Sequence, residues 1–239
     1  MKKSIFIIYA LLLSLTIPHN AYAMHISEGY LPLNWSIFYF VLILPFLFLS
    51  IKKLKKLTIK NKEIKMLLGL MAAFVFMMSA LKIPSVTGSC SHPTGTGIGA
   101  VVFGPIIMTI ISLVVLLFQA LLLAHGGITT LGANLFSMGI VGPFVAFGIY
   151  KLLKGKNELL AVGLAAALGD LTTYVITSIQ LGLAFPSSTG GIAFAVVKFM
   201  GIFAVTQIPL AIVEGIISVV IYDFIKKHCK EELLGIMEE

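Results

Sequence analysis

Charged residues are scarce in this chain. Only 11% of its 239 residues are charged and 59% are hydrophobic, whereas a soluble domain carries about 25% charged and 45–50% apolar residues. The two cysteines, Cys90 and Cys229, are too few for a disulfide scaffold, and arginine is absent, so all 17 basic residues are lysines. These deficits exclude a soluble globule and a disordered chain, and we expect no nucleic-acid partner. The mean hydropathy of +1.05 favours an integral membrane protein.

Motifs for nucleotide binding and for peptide hydrolysis are also missing. The glycine-rich run at 95–99 is not followed by the Gly-Lys-Ser/Thr of a phosphate-binding loop, and no His-Glu-x-x-His pair occurs. We therefore expect no ATP hydrolysis, no enzymatic activity and no bound cofactor. An intramembrane metal-dependent hydrolase with Asp170 as its base is a weaker alternative, because the histidines it would need lie in loops.

The N-terminus has the three parts of a secretory signal peptide. Two lysines precede an apolar run at 5–17, which is too short to span a membrane, and an Ala-Tyr-Ala cleavage site ends at Ala23. This arrangement predicts a signal peptide at 1–23 and a mature transmembrane domain at 24–239. The mature chain would begin at Met24, outside the cytoplasm.

Three lysine clusters set the expected orientation of the mature domain. Seven lysines lie within 52–65, three within 151–156 and three within 226–230. Short loops rich in lysine stay in the cytoplasm. The N-terminus is therefore predicted outside the cell and the C-terminus in the cytoplasm, which requires an odd number of crossings.

Seven apolar segments of the mature domain are predicted to cross the membrane, giving an all-α polytopic fold. The third is short or broken, because Gly104-Pro105 ends it and a helix end at membrane depth must be buried in protein. The last apolar region, 190–225, is too long for one span, so we divide it into an outer, partly amphipathic piece at 190–203 and a true span. The predicted spans are 35–51, 66–81, 98–103, 106–124, 131–150, 159–180 and 204–225.

Three of the five histidines, His25, His92 and His125, fall on the outer side of this topology. The α-amine of Met24, the amide nitrogen of His25 and the imidazole of His25 could form fused chelate rings around one metal ion. His92 could supply a fourth nitrogen. Four nitrogen donors suit Ni²⁺ or Cu²⁺, and Co²⁺ is a plausible neighbour. The simpler interpretation is that Met24-His25 only follows a cleavage site.

Two further polar residues lie in or beside a second glycine-rich outer loop, at 125–134. His125 either binds the metal directly or orients another ligand through a hydrogen bond, and we favour the second role. Asn134 is a candidate hydrogen-bond partner there, or only a helix cap. Within the spans, Asp170 and Glu214 are charges at membrane depth, which by default mark function. For these two, we favour contacts between helices over a part in transport.

Three segments together give the chain a specific resemblance. They are Met-His-Ile-Ser-Glu-Gly-Tyr at 24–30, Ser-His-Pro-Thr-Gly-Thr-Gly at 91–97, and His-Gly-Gly-Ile-Thr-Thr-Leu-Gly-Ala-Asn at 125–134. With these motifs in this order, the chain resembles the CbiM/NikM family, the substrate-binding membrane subunits of energy-coupling-factor transporters for cobalt and nickel. The resemblance covers essentially the whole mature chain.

The resemblance implies a seven-helix domain and a non-catalytic role in metal uptake. It implies a metal held by the α-amine of Met24, the backbone nitrogen and imidazole of His25, and the imidazole of His92. It also implies three kinds of partner: a transmembrane coupling protein, cytoplasmic ABC-type ATPases and a small auxiliary membrane subunit. The expected location is the cell membrane of a bacterium or archaeon.

The transported metal is not decided by these motifs alone. The opening Met-His-Ile-Ser-Glu-Gly-Tyr is similar to the cobalt branch, which supplies cobalamin biosynthesis, and Ni²⁺ is the alternative cargo. The leader departs from the simplest family form, since members can begin directly at Met-His. A remote alternative is a gradient-driven carrier, for which we would expect inverted repeats or charged residues along a pathway.

Overall fold

The computed structural model describes residues 25–60, 64–84 and 90–229. The predicted signal peptide and Met24 lie outside the described residues. Within them the chain forms seven helices, with one π-helical stretch, Leu135–Val141, inside the fifth. The helices are α1 (Leu33–Lys60), α2 (Ile64–Ala80), α3 (Thr96–Phe103), α4 (Pro105–Leu122), α5 (Leu131–Leu153), α6 (Glu158–Ala184) and α7 (Gly191–His228).

The helices have the lengths and composition of a polytopic membrane protein. Five of them, α1 and α4 to α7, are long and apolar enough to cross a membrane, and α2 is a shorter apolar helix of 17 residues. Large apolar side chains such as Phe48, Met66 and Leu121 are exposed on the outside of the bundle, as expected where lipid replaces water. The predicted all-α polytopic fold is confirmed.

The third helix is short, as predicted. α3 has eight residues, and every one of them is buried. It ends at Gly104, whose φ of 82° is readily adopted only by glycine. Pro105 then begins α4. Proline suits the first position of a helix, because the N–H that it lacks would have no partner within the helix there. The backbone groups at the break are therefore enclosed by protein, which makes a broken helix tolerable at membrane depth.

The predicted division of the last apolar region at residue 203 is wrong. The segment 190–203 is not a separate outer piece, because α7 runs unbroken for 38 residues. At 1.5 Å per residue the helix is about 57 Å long, nearly twice the roughly 30 Å of a hydrocarbon core. The single helix α7 therefore contains the residues that sequence reasoning assigned to a second element.

The last two helices pack closely along their length. Gly163 of α6 faces Gly215 of α7, so closely that a Cβ on either would crowd the other helix, and small residues permit such backbone approach in a membrane. At the lysine-rich end, Glu158 of α6 accepts hydrogen bonds from Tyr222 and from Lys226 of α7. Polar and close-packed contacts thus hold α6 and α7 together as a pair.

A two-stranded antiparallel ladder precedes α3 and was not predicted. It joins β1 (Ile83–Pro84) to β2 (Cys90–Ser91), with Ile83 opposite Ser91. The chain leaves β2 directly into the loop 92–95, all of which is buried. The ladder therefore delivers His92 to the interior of the helix bundle.

Candidate metal centre

Three histidines from distant parts of the chain meet in one buried cluster. His25, His92 and His125 have 2%, 0% and 2% of their surface exposed. One ring nitrogen from each lies within 4.8 Å of the others, and the ring centroids are 4.6–4.8 Å apart. Among the described residues, no other group of three or more histidine, cysteine or acidic side chains has this arrangement.

Burial keeps these imidazoles uncharged. It lowers the pKa of His25 well below its ordinary value, and the charge of His92 adds to this effect. Desolvation lowers the pKa of His92 to about 4. Desolvation, and then the charges of His25 and His92, also lower the pKa of His125. Each ring is thus neutral at pH 7 and has one nitrogen lone pair available to a metal ion.

The hydrogen bonds of His92 indicate which of its nitrogens is available. Its Nδ1 lies 2.9 Å from the carbonyl oxygen of Pro93, and because a carbonyl can only accept, Nδ1 carries the proton. The lone pair is then on Nε2, which lies 3.3 Å from Nδ1 of His25. Two nitrogens that each bind one ion at about 2.0–2.1 Å are separated by roughly 2.9–3.4 Å. The two rings are thus spaced to share a metal.

Two other ring nitrogens in the cluster have no partner. Nε2 of His25 and Nε2 of His125 are buried without a hydrogen bond. A buried polar atom without a partner is unfavourable by roughly 1–3 kcal/mol. Such atoms are rare in a folded protein unless a ligand occupies the site.

The segment that carries His25 is held by α5 and the residues just before it. Asn134 binds both sides of the Ile26 backbone: its Oδ1 accepts from the N–H at 2.8 Å, and its Nδ2 donates to the carbonyl oxygen at 3.0 Å. Thr130 donates to the same carbonyl at 2.6 Å. The backbone next to His25 is therefore fixed by two side chains that are more than a hundred residues away.

Glu28 also binds the glycine-rich loop that follows His125. Its carboxylate accepts from the backbone N–H of Thr129 at 3.1 Å. Hydrogen bonds from the side chain of Thr129, and then from its backbone, lower the pKa of Glu28. The backbone N–H of Glu28 donates to the carbonyl oxygen of Gly126 at 3.2 Å. Gly127 packs so closely on Glu28 that a Cβ would collide with it. We refer to residues 25–29, held in this way, as the N-terminal arm.

His125 is held by a different helix. Its backbone N–H donates to the carbonyl oxygen of Gln119 at 3.1 Å, in the last turn of α4. The side chain of Gln119 donates in turn to Ser79 of α2. His125 therefore approaches the cluster from the end of α4.

The structure brings together three of the predicted site residues, and a fourth, Asn134, binds the backbone beside them. His25, His92 and His125 share one site, with His125 as near to the others as they are to each other. Asn134 does not bond to His125 but to the backbone of Ile26. Met24 lies outside the described residues.

Sequence reasoning missed Thr130 and Glu28 as residues that hold the site. Both lie inside the motifs on which the family resemblance rests, and both bind the segment that carries His25 or its neighbouring loop. Their membership of those motifs was the available signal. No local pattern, however, indicates that one motif binds the other.

We expect Asn134→Ala to weaken metal binding by roughly 10–100-fold, the range typical of a group that orients a metal ligand. The change removes two hydrogen bonds from the backbone beside His25. Titration of purified protein with Co²⁺ measures the loss. Asn157→Ala is the matched control, because Asn157 only caps α6 by accepting from Leu160. Equal affinities for the two variants would contradict the assigned role of Asn134.

Comparison with known proteins gives a consistent result. The family model described as "CbiM: Cobalt uptake substrate-specific transmembrane region" matches residues 25–232. A Clostridium tetani protein named "Cobalt transport protein CbiM" is 58% identical and covers 98% of this chain and 97% of its own length. A Chlorobium limicola protein of the same name is 60% identical over 214 residues, covering 89% and 84%.

Solved structures share the fold. One described as the crystal structure of a transition metal transporter superposes with a TM-score of 0.75 at 28% identity, and covers 88% of this chain and 96% of its own. A truncated transition metal transporter gives a TM-score of 0.74 at 27% identity, and covers 85% and 99%. The helix arrangement described above is therefore also found in solved structures of metal transporters.

Proposed function

Because the chain belongs to the CbiM family of cobalt uptake substrate-specific transmembrane regions, we propose that it is the substrate-capture subunit of an ATP-driven energy-coupling-factor importer. Its cargo is Co²⁺, destined for cobalamin biosynthesis. The observation that carries this proposal is the buried cluster of His25, His92 and His125, in which one ring nitrogen from each residue lies within 4.8 Å of the others.

The proposed ligand set follows from the chelate chemistry of a mature chain that begins with Met24 and His25. His25 offers its imidazole and its backbone nitrogen, and Met24, as the first residue of the mature chain, offers its α-amine. His92 completes the set through Nε2, which already faces His25. His125 is assigned the role of orienting these ligands, although its position also permits direct binding.

The chemistry of these donors selects among metal ions. Nitrogen donors favour late divalent transition metals, whereas Mg²⁺ and Ca²⁺ prefer oxygen ligands. Ni²⁺ suits the same donors, so nickel uptake is the second candidate function. Because the cluster is buried, the ion must shed its water on entry, and the nitrogen donors compensate for the lost hydration.

The remaining subunits of the importer must supply the energy. The chain has no phosphate-binding loop, and its lysine-rich segments are too short to fold into a nucleotide-binding domain. We therefore assign ATP hydrolysis to paired cytoplasmic ABC-type ATPases, joined to this chain by a transmembrane coupling protein. A small auxiliary membrane subunit is a further partner.

Vesicles that contain only this chain are expected to bind Co²⁺ without accumulating it. Metal held by several nitrogen bonds leaves slowly, and the chain has no means of coupling its release to ATP hydrolysis. Uptake of radioactive cobalt, measured with and without the coupling protein and the ATPases, tests this expectation. Only the complete set should accumulate cobalt, and only with ATP.

The same vesicles distinguish the competing functions. Sustained accumulation by the single chain without ATP would overturn the proposal and favour a gradient-driven carrier. An excess of unlabelled Ni²⁺ tests the identity of the cargo. If nickel suppressed cobalt uptake at a lower concentration than unlabelled cobalt itself, the nickel assignment would replace the cobalt one.

A further inference from the structure

The loop that carries His92 is held by a buried carboxylate of α7. Glu214, with 0% of its surface exposed, accepts from the backbone N–H of Thr94 at 2.5 Å and from that of Gly95 at 2.9 Å. The hydroxyl of Thr94 also donates to it, at 3.0 Å. Glu214 thus accepts the hydrogen bonds of three donors in a loop that is buried.

Two further contacts bind the same loop to α7. The amide of Gln207 donates to the carbonyl oxygen of His92 at 3.3 Å, and to Oδ2 of Asp170 at 2.6 Å. The hydroxyls of Ser91 and Thr206 lie 2.7 Å apart. Asp170 of α6 therefore holds the side chain of Gln207, which binds the loop. The closely packed pair of helices α6 and α7 thus holds the His92 loop together.

The other two histidines are attached elsewhere. The N-terminal arm with His25 is bound to α5 through Asn134 and Thr130, and His125 follows the last turn of α4. The distance between Nδ1 of His25 and Nε2 of His92 thus depends on how the α6–α7 pair sits against α5. A small displacement of α7 would separate the two nitrogens that the proposed metal bridges.

We propose that Glu214 is a positioning residue for His92, which couples the placement of α7 to the affinity of the metal site. The proposal rests on the proposed metal-binding function and adds to it a structural connection between α7 and the metal site. Its physical basis is that two backbone N–H groups and one hydroxyl of the loop converge on one carboxylate. Proline inside α7, at Pro209 between Gln207 and Glu214, removes one backbone hydrogen bond there and eases bending of the helix.

The first test is the Glu214→Gln variant of the mature protein, titrated with Co²⁺ in detergent. Glutamine keeps the shape of the side chain but turns one acceptor into a donor that faces the N–H groups of Thr94 and Gly95. We expect Co²⁺ affinity to fall by roughly 10–100-fold. The matched control is Ser218→Ala, because Ser218 lies one turn further along α7 and is equally buried. This control should retain the wild-type affinity.

A coupled substitution distinguishes positioning from a general loss of stability. In a His92→Ala background, Glu214→Gln should alter the residual Co²⁺ affinity by less than about threefold, because its effect passes through His92. In an Asn134→Ala background it should add its full loss, since Asn134 acts on the N-terminal arm. The visible absorption spectrum of bound Co²⁺ should also change in Glu214→Gln and remain unchanged in Ser218→Ala.

Thr94→Val provides a second variant should Glu214→Gln fail to fold. Valine keeps the shape of threonine and removes the hydroxyl that donates to Glu214 and accepts from Thr96. Both backbone N–H donors to Glu214 remain, so we expect a smaller loss in the same direction and a spectral shift. The proposal is overturned if Glu214→Gln and Thr94→Val, wherever they fold, bind Co²⁺ as tightly as the wild type. It is also overturned if Glu214→Gln lowers the Co²⁺ affinity equally in the wild type and in the His92→Ala background. Failure of the proposed function is a different result: wild-type protein would not bind Co²⁺, or His92→Ala would bind it as tightly as wild type.

Discussion

Alanine in place of His25 or of His92 is expected to abolish high-affinity Co²⁺ binding. Each change removes a nitrogen that is directly bound to the metal in the proposed site. The loss should exceed the roughly 10–100-fold that is typical of an outer partner. Isothermal titration of each purified variant with Co²⁺ and with Ni²⁺ measures the effect.

His125→Ala is the informative comparison in this series. We assign His125 an orienting role, so its loss should be the smallest of the three and should fall within that 10–100-fold range. The structure places its ring 4.6 Å from that of His25 and 4.8 Å from that of His92, which makes the ranking a real test. If His125→Ala proved the worst of the three, His125 would have to be reassigned as a ligand. Thermal unfolding of each variant checks that the fold is intact.

Extending the mature chain by a single residue ahead of Met24 is expected to remove high-affinity binding as severely. The extension converts the α-amine of Met24 into an amide, which is a poor donor, and breaks the fused chelate rings that His25 would otherwise complete. Sequencing the N-terminus of purified protein and titrating it with Co²⁺ measure processing and binding together. A one-residue extension at the C-terminus is the matched control and should bind normally.

The same experiment can contradict the ligand assignment. If residues 1–23 remained on protein that is loaded with metal and active in uptake, no free amine would exist at Met24. The site would then have to be built from the histidines alone. His125 would be the natural replacement, because its Nε2 is buried beside the other rings without a hydrogen-bond partner.

The sequence determined the membrane character and most of the helices. Hydropathy is a property of each segment by itself, so runs such as 106–124 and 159–180 predict spans that the structure has as α4 and α6. The break at Gly104-Pro105 was also predictable, because glycine and proline restrict the backbone locally. The pairing of His25 with His92 was proposed from chelate chemistry and from motifs, and the structure brings the two rings together.

Only the tertiary structure decided how the site is held together. α7 is one continuous helix, whereas the hydropathy pattern favoured two elements in the same region. Asn134 binds the backbone of Ile26, and Glu214 binds Thr94 and Gly95, across separations of more than a hundred residues. Such contacts depend on the placement of whole helices. Local sequence indicates that a buried polar group needs a partner, but which partner it finds depends on the packing of the complete bundle.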